Sequence, residues 1–210
     1  MSFELINALF RSRLTVLALL KRRNYNVTPF ERFSTREIEL MLGDSSGKHA
    51  LNIRVEKENS EDKRVCHVLY FNPKFKKYDD FVDDLKLGED ELAQAEFLVL
   101  LQDEINDSHH AASMRHWVRN KRKVHFFNLY RLIFNPLEHI LQPKFDIVPE
   151  DKHEDLLKAL NCTSKPQLPI IRYHSDVVTR CLGLAPGDII KITRPSESAG
   201  ESIVYSVCGA

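Results

Sequence analysis

Apolar residues recur at helical spacing near the start of the sequence. From Phe3 to Leu20 they return every three or four positions, which predicts an amphipathic helix. The basic run Lys21-Arg22-Arg23 follows, and we interpret it as solvated charge that compensates the helix dipole. Ser34 and Glu37 have the spacing of a capping box, so a short second helix is expected to start there and to end within 43–47.

Strand patterns dominate the next part of the sequence. Two segments with strand character, Ala50–Glu56 and Arg64–Phe71, flank a charged turn and predict a hairpin. Helical spacing resumes between Phe75 and Leu85. The run Phe97–Leu101 is apolar on both faces, which is typical of a central strand covered by helices.

A further helix and a further strand complete this region. Asp107 or Ser108 is expected to cap the helix, and Val124–Phe127 predicts another buried strand. Helices interleaved with strands predict an α/β layer. The apolar residues that this helix carries are Met114, Trp117 and Val118.

The remaining sequence is richer in proline. Three prolines between Pro136 and Pro149, with few periodic apolar residues, predict a boundary between two units. One helix is expected at Glu150–Leu160, and a shorter one near Asp176–Leu182 follows a Pro-rich link.

The C-terminal segment predicts a small α+β hairpin unit. Its two strands are expected at Asp188–Arg194 and Ser202–Cys208. Pro195 lacks a backbone donor and is expected to halt the first strand, while Gly200 can take the positive φ that re-enters the ladder.

Composition narrows the classes of function. Apolar residues make up 43% of the 210 positions, enough for a real core. Lys plus Arg equals Asp plus Glu at 30 each, so contact with nucleic acid must be local. The four cysteines are far apart and predict reduced thiols without a structural zinc. With no signal peptide and no apolar run long enough for a bilayer, a cytosolic or nuclear protein is expected.

A specific string of residues stands in the C-terminal segment. It combines Leu168-Pro169, an Asp-containing helix that ends in Arg180, Gly183-Leu184, Gly187 with the strand after it, and Arg-Pro-Ser-Glu-Ser-Ala-Gly at 194–200. The segment closely resembles the assembly domain of the fifth subunit shared by nuclear RNA polymerases I, II and III, which is similar to the corresponding subunit of archaeal RNA polymerase. Upstream, the run at 138–143 looks like the Glu-His-x-Leu-x-Pro junction between the two domains of that family.

The resemblance implies a polymerase subunit without catalytic activity, cofactor or metal. Residues 1–142 would form an α/β jaw domain with a restriction-endonuclease-like mixed sheet, and 143–210 a small α+β assembly domain. The assembly domain would dock on the largest subunit among the core subunits, and the jaw would flank downstream double-stranded DNA without reading its sequence. No membrane and no small-molecule substrate is implied. The expected location is the nucleus, or the cytoplasm or virion if the gene is viral. The residues expected to serve docking are Asp176, Arg180, Gly183, Gly187, Arg194, Pro195, Ser196, Glu197 and Gly200.

Two departures from the family pattern affect these expectations. The family's Asp-Pro is Asp176-Val177 here, which leaves the Asp as a helix cap. Where cellular relatives carry Thr-Pro-Ser-Ala-Lys near downstream DNA, this sequence has Asn-Asp-Ser-His-His at 106–110. The basic stretch at 115–123 is either a dipole-matched helix end with Trp117 turned inward or a patch that tracks phosphates. The residues considered for DNA contact are Ser108, His109, His110, Arg115, Arg119 and Arg122.

The sequence gives weaker support to other functions. A Mg²⁺-dependent nuclease needs converging carboxylates, but Glu56 and Lys57 are neighbours that point to opposite faces of a strand. His109, His110 and His116 suggest a metal site, but His109 and His116 are two helical turns apart, too far for one ion, and the three are interpreted as solvated surface residues. His174-Ser175-Asp176 is interpreted as a capping turn rather than a hydrolase triad. A paralogous adaptor that uses the assembly fold in another complex is the alternative from a different functional class.

Overall fold

The computed structural model describes residues 3–43, 50–58, 64–70, 85 and 87–209. The chain divides into two compact units, Met1–Asn135 and Pro136–Ala210, termed the first and the second unit. The boundary expected from the sequence, between 142 and 143, falls inside the second unit. The division of roles between a jaw and an assembly domain stays a prediction.

The first unit combines four α-helices with one four-stranded sheet in its described residues. The expected first helix, the second helix with its Ser34–Glu37 capping box, and the strand at Phe97–Leu101 are confirmed. The break within 43–47 and the helix at 75–85 fall almost wholly outside the described residues. The elements are α1 (Phe3–Arg22), α2 (Thr35–Gly43), β1 (Ile53–Glu56), β2 (Val65–Tyr70), α3 (Glu89–Gln94), β3 (Ala95–Leu101), α4 (Asp107–Asn120) and β4 (Val124–Asn128).

The sheet of the first unit is mixed, with strand order β1-β2-β3-β4. β1 and β2 pair antiparallel, as the expected hairpin requires, whereas β3 lies parallel to both of its neighbours. Every residue of β3 is buried, because a strand in the middle of a parallel layer is covered on both faces. The α/β class is therefore confirmed, while the likeness to restriction endonucleases stays a prediction.

A buried charge pair corrects the interpretation of the Lys21-Arg22-Arg23 run. The guanidinium of Arg23 is buried and pairs with the buried carboxylate of Glu96 on β3. Tyr25 donates its hydroxyl to the other oxygen of Glu96 at 2.9 Å, and burial together with this carboxylate raises the pKa of Tyr25. A carboxylate inside an apolar strand needs a cation and donors around it, so Arg23 serves the core rather than the solvent.

The second unit is built on a four-stranded sheet, ordered β5-β7-β8-β6. Its elements are β5 (Lys144–Val148), α5 (His153–Ala159), β6 (Ile170–Arg172), α6 (Val177–Leu182), β7 (Ile189–Ser196) and β8 (Gly200–Gly209). β7 pairs antiparallel with β5 and β8, and β6 lies parallel to β8. Leu156 and Leu157 of α5 pack against Ile189 and Val207, which forms the core on one face of this sheet.

Two strands of the second unit are absent from the sequence prediction. That prediction places Lys144–Val148 in a proline-rich boundary and Ile170–Arg172 in a link. β5 lies between Pro143 and Pro149 and buries only Phe145 fully, so it lacks a strict alternation of apolar and polar residues. β6 is three residues long and has no buried residue, so its pairing with β8 leaves no pattern in the sequence.

Pro195 does not halt β7, contrary to the expectation from the sequence. The strand continues to Ser196, and Pro195 lies opposite Glu201. The amide of Val207 donates to Pro169 at 2.9 Å, away from β7, so its pair with Ile189 is not hydrogen-bonded across β7 and β8. Hydrogen-bonded and non-hydrogen-bonded pairs alternate along an antiparallel ladder, so the Pro195–Glu201 pair is also not hydrogen-bonded. A proline at this position therefore removes no hydrogen bond between β7 and β8.

None of the helices in the described part of the chain combines the length and apolar character that a bilayer crossing needs.

Replacing Glu96 by Ala is expected to destabilise the first unit strongly. The change leaves the Arg23 guanidinium buried without its carboxylate, which costs about 3–5 kcal/mol of unfolding free energy. Urea unfolding followed by Trp117 fluorescence reports on this unit, because Trp117 is the one tryptophan of the sequence. The control is Glu104→Ala, which removes an exposed partner of Arg131 and should cost less than about 1 kcal/mol. Equal effects of the two changes would contradict a structural role for the buried pair.

Candidate functional site

The hairpin tip exposes most of the residues expected to serve docking. Arg194, Pro195, Glu197 and Gly200 are exposed and Ser196 is half-buried, and the register pairs Ser196 with Gly200. Gly200 has a φ of 74°, as expected for the residue that re-enters the ladder. The tip therefore presents a guanidinium, a carboxylate and hydroxyl groups within one short turn.

The other residues of the docking set form helix ends and turns. Asp176 caps α6, since its Oδ1 accepts a hydrogen bond from the amide of Val178 at 2.7 Å. Gly183 ends the same helix with a φ of 68°. Gly187, with a φ of 98°, donates its amide to Cys208 at 2.8 Å. The expected capping role of Asp176 is confirmed, and these residue types are explained by backbone geometry.

Arg180 lies inside the second unit rather than on its surface. Its side chain is buried on α6, and burial lowers the pKa of the guanidinium, while the nearby Cys181 and Asp176 raise it. Burial of this cation therefore carries a desolvation cost, and only a small part of its side chain is open to solvent.

The docking set thus falls into two groups at opposite ends of the hairpin. Asp176 and Gly187 lie at the base, where β6 runs toward Gly209 and α6 begins. From Ile189 to Ser196 the strand covers about 23 Å at the usual rise per residue. The group at the tip is the one whose side chains are exposed, and the docking role of both groups stays a prediction.

Helix α4 positions the residues considered for DNA contact, and it turns its histidines inward. His109, Ala112, Ser113 and His116 are buried, so the interpretation of His109 and His116 as solvated residues is wrong. His109 lies against the ring of Phe126, with 5.4 Å between centroids. Of the apolar residues that this helix carries, Met114 and Trp117 are half-buried, whereas Val118 is 64% exposed.

The cap of α4 is Asn106, one residue before the expected Asp107 or Ser108. Its side chain accepts from the amide of Ser108 at 3.1 Å, and the amide of Asn106 donates to Nδ1 of His109 at 3.1 Å. His109 is therefore the reciprocal partner in a capping box. The sequence signal for this capping box was Asn106 placed three residues before His109, whose side chain can form a hydrogen bond.

One side of α4 carries exposed polar and basic side chains. Ser108, Arg115 and Arg119 are exposed, and their spacings of seven and eleven residues are close to whole helical turns. His110 is half-buried, as is Arg122, whose Nε donates to the carbonyl of Leu92 at 3.4 Å. Arg115 and Arg119 are therefore the two exposed arginines of α4.

The described residues give no support to the catalytic alternatives. Glu56 is exposed and pairs with Arg54 at 2.7 Å, on a strand that lies beside Cys66 and His67. Within the described ranges no three His, Cys, Asp or Glu side chains come together as a metal site would require. Asp176 is a helix cap, as expected for the 174–176 turn.

Comparison with known proteins assigns the family. Residues 134–208 match the family described as RNA polymerase Rpb5, C-terminal domain. A subunit of Archaeoglobus fulgidus, named DNA-directed RNA polymerase subunit Rpo5, is 43% identical over 34% of this chain and 92% of its own length. The chain belongs to the Rpb5/Rpo5 family of RNA polymerase subunits. The family expected from the C-terminal string is thereby confirmed.

Two further relatives from the Rpb5/Rpo5 family differ in how much of this chain they cover. A relative from Dictyostelium discoideum, named DNA-directed RNA polymerases I, II, and III subunit rpabc1, is 29% identical over 98% of this chain and 99% of its own length. A Rpo5 subunit of Nitrosopumilus maritimus is 45% identical over 32% of this chain and 80% of its own length. The eukaryotic relative is therefore similar over the full length of this chain, whereas the archaeal relatives are similar over about a third of it.

Acid is expected to destabilise the first unit, in part through His109. Burial lowers the pKa of His109, and likewise that of His67, below the ordinary value of 6.5. The unfolded chain therefore binds protons at these two histidines more readily than the folded chain does. Their contribution to the unfolding free energy is fully present above about pH 6.5 and is lost as the pH falls from there toward the folded-state pKa.

His109→Gln should therefore reduce the loss of unfolding free energy between about pH 7 and pH 5. Urea unfolding followed by Trp117 fluorescence at each pH measures this loss. The control, His139→Gln, changes an exposed histidine of the second unit and should leave the pH dependence as in the wild type. An unchanged dependence in His109→Gln would show that this imidazole is not involved.

Proposed function

We propose that this chain is a non-catalytic subunit of a eukaryotic-type DNA-directed RNA polymerase. The observation that carries the proposal is similarity over nearly the whole chain to a relative named as a subunit of RNA polymerases I, II and III. RNA synthesis belongs to other subunits, and this chain supplies surface and rigidity. Its location is the nucleus, or the cytoplasm or virion if the gene is viral.

The second unit is proposed as the part that holds the subunit in the polymerase, by docking on the largest subunit. The Archaeoglobus fulgidus Rpo5 aligns over 72 residues, which make up 92% of it. The family region at 134–208 has about this length and coincides with the second unit. A chain hardly longer than this unit thus carries a polymerase subunit name, so docking needs little beyond it.

The first unit is proposed to flank downstream double-stranded DNA as a jaw. Arg115 and Arg119 extend from one side of α4, and Ser108 lies at the start of the same side. Arginines on an exposed helix contact phosphates without reading bases. The balanced total charge agrees with a contact made inside a larger assembly rather than by the free protein.

Affinity purification of the tagged full chain from its own cells tests the subunit assignment. We expect the large subunits of an RNA polymerase to be recovered in stoichiometric amounts. Recovery of a different complex without polymerase subunits would identify the chain as a paralogous adaptor instead. Identification of the recovered chains by mass spectrometry separates the two outcomes.

Arg115→Ala combined with Arg119→Ala tests the DNA contact. Polymerase that contains this variant is expected to retain downstream DNA less well at low salt, with the difference shrinking as salt screens the phosphate contacts. Dissociation of labelled downstream duplex over a salt series measures the effect. Arg11→Ala with Arg36→Ala removes the same charge from exposed positions elsewhere in the first unit and serves as the control. Identical salt profiles for the two double variants would contradict a specific role of α4.

A further inference from the structure

In the first unit, an exposed arginine is held by a carboxylate of the same chain. Nε of Arg131 donates to Oε2 of Glu104 at 3.1 Å, and Nη2 donates to Oε1 at 3.2 Å. One edge of the guanidinium therefore faces both carboxylate oxygens. The two side chains are 75% and 68% exposed. Because an exposed ion pair contributes little to folding stability, this pair can open at low cost.

Hydrogen bonds hold this pair at the N-terminal end of α4. The side chain of Asn128 accepts from the amide of Arg131 at 3.0 Å and donates to the carbonyl of Asp103 at 2.9 Å. Glu104 comes four residues before Ser108, where the exposed polar side of α4 begins, and four residues span at most about 14 Å. Arg131 therefore lies beside the loop that leads into α4.

The two ends of α4 carry opposite charge. Asp103, Glu104 and Asp107 are exposed at the N-terminal end, and Glu104 neutralises Arg131 there. The stretch 115–123 at the other end contains five lysine and arginine residues and no acidic residue. A phosphate backbone that lies along α4 is therefore attracted at the C-terminal end of the helix and repelled at its N-terminal end.

We propose that the pair between Glu104 and Arg131 is an autoinhibitory contact that limits how tightly the first unit holds DNA. Carboxylate and phosphate groups both bind the guanidinium fork in a bidentate manner, so Glu104 takes the place that a phosphate of the duplex would otherwise occupy. With Arg131 masked, the contact is confined to Arg115 and Arg119. The inference rests on the proposed DNA contact and names the residue that regulates it.

Weak retention suits a contact past which DNA has to move. A duplex that is drawn along the subunit during transcription needs phosphate contacts that break quickly. Arg115 lies about 10 Å along the helix axis from Ser108, so a released Arg131 would add a cation beyond the other end of the exposed side. An internal carboxylate that competes for this guanidinium shortens the contact without removing the arginines of α4.

Polymerase that contains Glu104→Ala tests the masking. At low salt it is expected to release a labelled downstream duplex about twofold or more slowly than the wild type, because the freed guanidinium adds a phosphate contact. The logarithmic salt dependence should become steeper by about one counterion, and the difference should vanish at high salt. Glu104→Ala combined with Arg131→Ala removes both charges and should release the duplex at the wild-type rate. A gain in retention cannot result from a loss of folding.

Glu39→Ala is the matched control, since it removes one carboxylate from an exposed position on α2 and should release the duplex at the wild-type rate. Equal slowing by Glu39→Ala and Glu104→Ala would show that only the total charge of the subunit counts, and it would overturn the inference. Slowing that persists when Arg131→Ala is added to Glu104→Ala would overturn it as well, because the gain would then not come from Arg131.

Comparison with the Arg115→Ala and Arg119→Ala double variant separates the inference from the proposed function. If this double variant releases the duplex faster while Glu104→Ala behaves as the wild type, the masking is overturned and the DNA contact stands. If the double variant and Glu104→Ala both match the wild type over the whole salt series, the DNA contact of the first unit is overturned together with the inference.

Discussion

The antiparallel ladder between β7 and β8 sets the position of the hairpin tip relative to the rest of the second unit's sheet. Its register pairs Ile189 with Val207 at one end and Ser196 with Gly200 at the other. β5 pairs with β7 and β6 pairs with β8, so these two strands lie on the two sides of the ladder. A slip of β8 by one residue against β7 would turn the apolar residues of the slipped strand to the other face of the sheet. The ladder therefore fixes the geometry of the surface as well as the core.

In the second unit, the predictable parts of the fold are those whose residues satisfy local backbone rules. Asp176 before a short helix and Gly200 at a hairpin turn each have a conformational reason to be there, and both behave as expected. Pro195 was misjudged because its effect depends on which neighbour the missing donor would have faced, and that follows only from register. β6 was missed because its pairing is decided by β8, far along the chain.

In the first unit, errors arose where polar residues lie in the core. Arg23 was placed in solvent from the helix dipole and His109 from its residue type, although each is buried against a partner on another element. A lone Glu96 in an apolar strand was the available signal for a buried cation, but the sequence does not say which of the three neighbouring basic residues supplies it. Much of the second unit's candidate surface was named in advance from the family string. The exposure of Ile140 and Leu141 was not predicted, because it is a property of the folded chain.

Pro195 has a consequence for the subunit before it is assembled. β5 begins opposite Thr193, so among the described strands β7 has no partner on that side beyond this residue, and an unpaired strand edge can template strand addition from another copy. The residue that faces outward there is a proline, which offers no amide hydrogen to an incoming strand. The tip that is proposed for docking is thus a poor template for strand addition between copies of the unassembled chain.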